Sequence, residues 1–305
     1  MKKILIQLDT DKFPSTFDAI VAYDVGVDIV QSYGEVTPGD VRGLMLSACF
    51  TRGIPDLRNI AVWIGGSDVV VGEQLLAEAR RAFLGPFRIS VMLDSNGCNT
   101  TASTAIAKLS AEVDIRGKTA CVLGQGPVGL RAALLLATEG CRVHLSAIPP
   151  QMFGSGYDPA LAERTLQVAR HAAQTFHDGA AAPEGRFVQV VEPYDRAALE
   201  KLLETAEIFV AAGPAGLQVL PRSSWASLPQ LKWLIDFNLT EPLGIEGIKP
   251  SDDFADYSGK RTLGALALGN AKMGVHRACL TSLFENNDFV LDAEGVYGIA
   301  KKQLA

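Results

Sequence analysis

Along the first hundred residues, short apolar runs alternate with stretches whose apolar residues recur at helical spacing. The pattern predicts strands at Lys3–Leu8, Ile29–Tyr33 and Ile60–Ile64. It predicts helices at Pro14–Val25, opened by Pro14-Ser15, at Asp40–Phe50, and at Val69–Phe83 with its Arg80-Arg81 end. Such alternation implies a mostly parallel sheet covered by helices. A helix over Asn99–Glu112 links this region to a second series. There the predicted strands are Thr119–Leu123, Arg142–Ala147, Phe187–Val191, Ile208–Ala212 and Leu231–Phe237. Helices at Pro127–Glu139, Pro159–Thr175 and Arg196–Thr205, with a short one after Leu220, stand between them. Two closing helices, Gly274–Phe284 and Asp292–Leu304, have no new sheet to cover and are expected to pack back across the first domain.

The expected class is therefore α/β with two domains, each a mostly parallel sheet covered by helices and the second of Rossmann type. Residues 1–100 with 270–305 form the first domain and residues 101–269 the second. A length of 305 residues suits two cores better than one. Two loops interrupt the pattern, Pro149–Pro159 and the low-complexity patch Gly179–Gly185.

A net charge of -6, with no basic block interleaved with aromatics, argues against a nucleic-acid partner. The N-terminus lacks the long apolar stretch of a signal peptide, and no run approaches the length of a membrane helix. Cys49, Cys98, Cys121, Cys141 and Cys279 are odd in number and lack CxxC spacing, so they read as buried free thiols in the reducing cytoplasm. His144, His171, His177 and His276 each stand alone and read as structural, and no His or Cys cluster offers a metal site.

The most informative motif is Gly124-Gln125-Gly126-Pro127-Val128-Gly129, which follows a predicted strand and opens an apolar helix. That is the context a dinucleotide fingerprint requires. Gly124 permits the tight turn, Gly126 lets backbone approach a pyrophosphate, and Gly129 lets helix and strand pack closely, with the helix N-terminus facing the phosphates. Pro127 suits the first helical turn, where its missing N–H costs no helix bond. NAD-specific folds place an acid at the end of the next strand, but here it ends Leu145-Ser146-Ala147-Ile148. Without a carboxylate to repel a 2′-phosphate, and with Ser146 as a donor to it, the sequence leans to NADP over NAD. Ala211-Ala212-Gly213-Pro214-Ala215-Gly216 is either a bland turn or a backbone surface for the nicotinamide half. Ala147, Ala212, Gly213 and Asn238, each at or just after the end of a predicted strand, join the cofactor candidates.

Two polar clusters also follow predicted strands, where α/β sheets present ligand-binding loops. They are Asp9-Thr10-Asp11 with Pro14, Ser15 and Asp18, and Asp94-Ser95-Asn96-Gly97-Cys98-Asn99-Thr100-Thr101. The second would equally well end a strand and cap the linking helix.

With these clusters the chain resembles the NAD(P)-dependent methylene-tetrahydromethanopterin dehydrogenases of methylotrophic bacteria, relatives of the methylene-tetrahydrofolate dehydrogenases, over nearly its whole length. The matching stretches include Leu8-Asp9-Thr10-Asp11, Pro14-Ser15-Thr16-Phe17-Asp18, Thr51-Arg52-Gly53 and Gly85-Pro86-Phe87-Arg88. Others are Met92-Leu93-Asp94-Ser95-Asn96-Gly97, Pro242-Leu243-Gly244-Ile245, Leu263-Gly264-Ala265-Leu266, Lys272 and His276-Arg277-Ala278-Cys279. The resemblance implies hydride transfer from the methylene carbon of a reduced pterin to NAD(P)+, in a homo-oligomer with a pterin-facing N-terminal domain completed by C-terminal helices. It further implies an active-site lysine at Lys272, with Asp18 and Thr101 beside it as catalytic candidates. Thr10, Asp94, Asn96, Asn99 and Thr100 are then the candidates for orienting the substrate. The chain departs from NADP-dependent relatives after the second Rossmann strand, where it has Ser146-Ala147-Ile148-Pro149-Pro150 in place of an arginine.

The implied chemistry needs no metal and no general acid or base, because the nitrogens flanking the methylene carbon stabilise the cation left by hydride. A methylene-tetrahydrofolate dehydrogenase is the first competing reading, although the first domain lacks the Tyr-x-x-x-Lys pattern of folate cyclohydrolases. A shikimate-dehydrogenase-like enzyme shares the plan without showing its Lys and Asp pair here. A redox sensor that binds NAD(P) without turnover is a reading of another class.

Overall fold

The computed structural model describes residues 1–178, 187–193 and 195–305. The patch Gly179–Gly185 lies outside the described residues. In chain order the elements are β1 (Ile4–Asp9), α1 (Thr16–Asp24), β2 (Ile29–Tyr33), α2 (Pro38–Cys49), β3 (Ile60–Gly65), α3 (Val69–Arg81) and β4 (Ser90–Leu93). There follow α4 (Cys98–Glu112), β5 (Thr119–Leu123), α5 (Pro127–Thr138), β6 (Arg142–Ser146), α6 (Pro159–Asp178), β7 (Phe187–Val191) and α7 (Arg196–Leu203). The chain closes with β8 (Ile208–Ala211), α8 (Arg222–Ala226), β9 (Trp233–Asp236), β10 (Asp253–Asp256), β11 (Arg261–Leu263), α9 (Ala265–Ser282), β12 (Val290–Leu291) and α10 (Ala293–Leu304).

Helix starts follow their caps. The Ser15 hydroxyl accepts the N–H of Asp18 at 3.3 Å, so α1 begins after Ser15 rather than at Pro14. Thr37 and Asp40 form a capping box, with the Asp40 carboxylate accepting the Thr37 N–H at 2.9 Å. This box, with Pro38 in the first turn, moves the start of α2 ahead of the predicted Asp40.

The chain divides into two compact units, Met1–Thr100 with Lys272–Ala305, and Thr101–Ala271. In the first, five parallel strands are ordered β12-β4-β3-β1-β2. The closing segment thus contributes more than helices: Val290 and Leu291 of β12 pair with Val91 and Met92 and extend the sheet. Pleating sends Ile6, Leu8, Val62, Ile64, Val91 and Leu93 into one core with Val41 and Met45 of α2 and Leu75 and Leu76 of α3. The other face carries Gln7, Asp9, Trp63, Gly65 and Met92, with Gln7 beside Trp63 and Asp9 beside Gly65 in the register of β1 on β3. Burial on both faces explains why β3 reads as one continuous apolar run. From β1 the chain runs to β2 on one side and later to β3 on the other. The ends of β1 and β3, at Asp9 and Gly65, are therefore a topological switch point, where open α/β sheets bind ligands.

In the second unit seven strands are ordered β10-β11-β9-β8-β5-β6-β7, all parallel except β10, which runs antiparallel to β11. Strands β7-β6-β5-β8-β9-β11 follow the Rossmann order, and the switch point lies at the ends of β5 and β8. Its core includes Leu123, Phe209, Val219, Trp225, Leu234 and Ile245. The β10–β11 hairpin was not predicted, because its short strands carry no readable alternation. The expected loop Pro149–Pro159 holds a short 3-10 segment, Pro150–Gly156, broken at Gly154 where φ is 55°.

Candidate active site

At the switch point of the second unit the glycine turn has two kinds of constraint. A Cβ on Gly129 would lie 1.9 Å from the Gly124 carbonyl oxygen, and one on Gly124, whose φ is +113°, would lie 2.3 Å from that of Ala212. Those two glycines are required by the packing of strand, turn and helix. Gly126 is different: its φ of -66° suits any residue, and a Cβ there would meet nothing within 4 Å. The fold itself does not demand glycine at Gly126, whereas a pyrophosphate drawn down onto the N-terminus of α5 does. The turn therefore fits a dinucleotide, with Gly126, Pro127 and Val128 on its accessible side.

Three of the expected cofactor residues send their side chains to neighbouring groups of the protein. Gln125 donates its side-chain amide to the carbonyls of Leu145 and Val191, both at 3.2 Å, so it ties the turn to β6 and β7. Ser146 is fully buried and its hydroxyl donates to the Ala147 carbonyl at 3.0 Å, turned toward its own backbone. Asn238 is also buried: it accepts the Thr240 N–H at 2.9 Å and donates to the Pro242 carbonyl at 3.2 Å, shaping its own loop. Ala147, Ala212 and Gly213 stay half-exposed after their strands, with Ala212 donating its N–H to Leu123 at 2.8 Å. A cavity of about 390 Å³ opens beyond β6 and β7, lined by Gln151, Met152, Asp195, Arg196 and Gln218. Arg196 follows the third strand of this sheet rather than the second, so the sequence pattern does not draw attention to it.

The first unit gathers its polar groups at the β1–β3 switch point. Lys272, half-buried on α9, donates from Nζ to the Gly97 carbonyl at 3.3 Å. His276, one turn further along α9, stacks on Trp63 with ring centroids 4.7 Å apart and meets Phe17 edge-on at 5.7 Å. Its Nε2 lies 3.9 Å from Oδ1 of Asp18. The structure thus brings Asp18 and Lys272 into one cluster, and adds His276 and Trp63 to it.

Other candidates shape this cluster from behind. Asp94 is buried, accepting the Thr100 N–H at 3.0 Å and the Thr100 hydroxyl at 2.6 Å, and so caps α4. Asn99, also buried, donates to the Leu93 carbonyl at 2.6 Å. Asp94, Asn99 and Thr100 therefore tie the end of β4 to the start of α4. Asn96 is exposed in a left-handed conformation, φ 53°. The Thr10 hydroxyl accepts the Asp68 N–H at 3.3 Å, and Thr101 is half-buried in α4. Among the described residues, no group of three or more His, Cys, Asp or Glu converges as a metal-ligand set.

The family model for the N-terminal region of methylene-tetrahydromethanopterin dehydrogenase matches residues 16–96. The bifunctional protein MdtA of Methylorubrum extorquens is 39% identical over 306 residues, covering 99% of each chain. The chain belongs to the methylene-tetrahydromethanopterin dehydrogenase family. The NAD(P)-dependent methylenetetrahydromethanopterin dehydrogenase of the same organism is 28% identical, over 98% of each chain. Among solved structures, aspartate transcarbamoylase from Trypanosoma cruzi superposes with a TM-score of 0.50 at 12% identity, over 94% of this chain and 83% of its own. That likeness shows the α/β plan and no more.

In this methylene-tetrahydromethanopterin dehydrogenase family member, burial sets the electrostatics of the cluster. Burial pushes the Asp18 carboxyl up to about 6, against the lowering effect of its hydrogen bond with Ser15. The charges of Asp94 and Asp9 push the same way, and Lys272 opposes them. Burial likewise drives His276 down to about 4, with Lys272 and Arg277 adding to the shift, so its imidazole is neutral at pH 7. Asp94 is raised by burial and held by Lys272 and its Thr100 and Asn99 bonds.

Proposed function

We propose that this chain oxidises the methylene carbon of methylene-tetrahydromethanopterin to the methenyl form, as an NAD(P)-dependent oxidoreductase of one-carbon oxidation. The observation that carries the reading is the full-length family relationship, whose N-terminal model spans the segment holding Asp18, Trp63 and Asp94. The dinucleotide supplies a hydride acceptor at nicotinamide C4. Gly126, Pro127 and Val128 with the N-terminus of α5 would hold its pyrophosphate, and Ala147, Ala212 and Gly213 would border its two halves.

Losing hydride leaves the substrate carbon in a cation delocalised over its two nitrogens. A carboxylate that is ionised while shielded from water favours such a cation more strongly than an exposed one would. Asp18 meets both conditions at neutral pH: its side chain is 15% exposed and it titrates at about 6. Lys272 presents ammonium hydrogens to the pterin and keeps Asp18 from rising further, while Thr10 and Asn96 orient the substrate. Neutral His276 packs with Trp63 beside Asp18.

With no acid after β6, NADP+ is accepted, and with Ser146 turned away the discrimination against NAD+ is modest. Arg196, which lines the 390 Å³ cavity with Gln151 and Met152, is the candidate cation for a 2′-phosphate. Five buried free thiols suit the cytoplasm, and light scattering tests whether the chain forms a homo-oligomer. The test is an anaerobic absorbance assay of NAD(P)H formation with methylene-tetrahydromethanopterin, repeated with methylene-tetrahydrofolate. Turnover with the methanopterin substrate is expected; failure with it in the presence of either nucleotide would overturn the reading.

A further inference from the structure

Trp63 and Gly65 point to the same face of β3, and Asp9 stands beside Gly65 in the register of β1. Because Gly65 has no side chain, neighbouring polar groups approach its backbone. A Cβ built there would lie 3.3 Å from Oδ2 of Asp9, 3.3 Å from Nε1 of Trp63 and 3.5 Å from Oδ2 of Asp18. One donor and two acceptors therefore border the space over Gly65.

Trp63 is fully buried, and its indole N–H has no acceptor among the described residues. Buried donors are rarely left in that state. Asp9 is 1% exposed and already accepts the N–H groups of Asp11, at 2.8 Å, and Ser15, at 3.0 Å. His276, also 1% exposed, closes one side by stacking on the indole.

We propose that one resident water molecule sits over Gly65, accepting from the Trp63 indole and donating to Asp9 and Asp18. The donor set selects this occupant. Ammonium has no lone pair for the indole N–H, a metal ion would be repelled by that N–H, and chloride by the two carboxylates. Water supplies one acceptor and two donors, the usual complement of about three bonds for a buried water. Burial of Asp9, Trp63 and His276 closes the space on those three sides.

Through this water the carboxylate of Asp18 is oriented and held ionised, a consequence that rests on Asp18 serving the substrate site. Trp63 and Gly65 become positioning residues. The groups facing Asp18 are Asp9 from β1, Asp94 beyond β4, Lys272 and His276 from α9, and Ser15 at its own helix cap. Without the water, Asp18 loses a hydrogen-bond donor and becomes harder to ionise.

A crystal structure of the intact chain resolving ordered waters tests the site independently of any activity. Density bridging Trp63, Asp9 and Asp18 is expected, and its absence overturns the proposal even if the chain oxidises the pterin. Gly65→Ala puts a methyl group into the space the water needs, and Trp63→Phe deletes the indole N–H should the alanine variant not fold. Each should lose the water density and raise the acid midpoint of kcat/KM by about one pH unit, following the lost bond to the carboxylate. A folded variant that lacks the water but keeps the wild-type midpoint overturns the role in tuning Asp18.

Discussion

Replacing Asp18 by asparagine should stabilise this protein while disabling it. In the folded state the Asp18 carboxyl titrates at about 6 against an ordinary 3.8, mainly through burial. A group raised in this way favours folding when protonated, and its contribution is lost as pH rises through the two values. At about 1.4 kcal/mol for each of roughly two pH units, ionised Asp18 costs the fold about 3 kcal/mol at pH 8. With its side chain only 15% exposed, little of this is screened by solvent. Asparagine resembles the protonated acid in shape and charge, so Asp18→Asn should gain most of this at pH 8, about half near pH 5, and nothing below pH 4. Thermal unfolding of the two proteins across this range reads the difference, expected at pH 8 as a rise in Tm on the order of 5–10 °C. The same variant should lose about 100-fold or more in kcat/KM if the carboxylate stabilises the forming cation. An Asn variant no more stable than wild type at pH 8, or one whose advantage does not change with pH, would refute this account of Asp18.

The two kinds of glycine separate folding from binding. Gly126→Val should keep the wild-type Tm and lose the thermal shift given by NADP+, whereas Gly129→Ala, with a Cβ 1.9 Å from a backbone oxygen, should lose at least ~2 kcal/mol of stability. Lys272→Met should lower kcat/KM about 100-fold in the pterin assay, with Tm little changed because the lysine is half-buried and makes a single backbone bond. Arg196→Ala should raise KM for NADP+ about tenfold and leave KM for NAD+ unchanged in initial-rate measurements, the signature of a lost charge-assisted contact to the 2′-phosphate.

Much of the fold is written in periodicity. Alternating β and α elements, each several residues long, announce their type, and the glycine turn announces its place after β5. The two residues of β12 hold no period, so nothing local shows that Val290 and Leu291 complete the first sheet. Within the site, residue type alone does not say where a polar side chain sends its hydrogen bonds. Gln125, Ser146, Asn238, Asp94 and Asn99 all look suited to a ligand, and each is turned inward to a neighbouring backbone or side chain. The link between His276 and Trp63 joins positions far apart in the chain, and only the packing of α9 against the first sheet reveals it.

Because the first unit is assembled from both ends of the chain, its order of synthesis matters. Strands β1 to β4 leave the ribosome long before β12, α10 and most of α9. Until those arrive, the edge of β4 is unpaired and Trp63 lacks the imidazole that stacks on it. Domains tend to fold as they emerge, so the nucleotide-binding unit, although second in the sequence, can close its sheet first. The nascent chain must therefore keep an open apolar edge out of unwanted pairings for the whole time the second unit takes to be made.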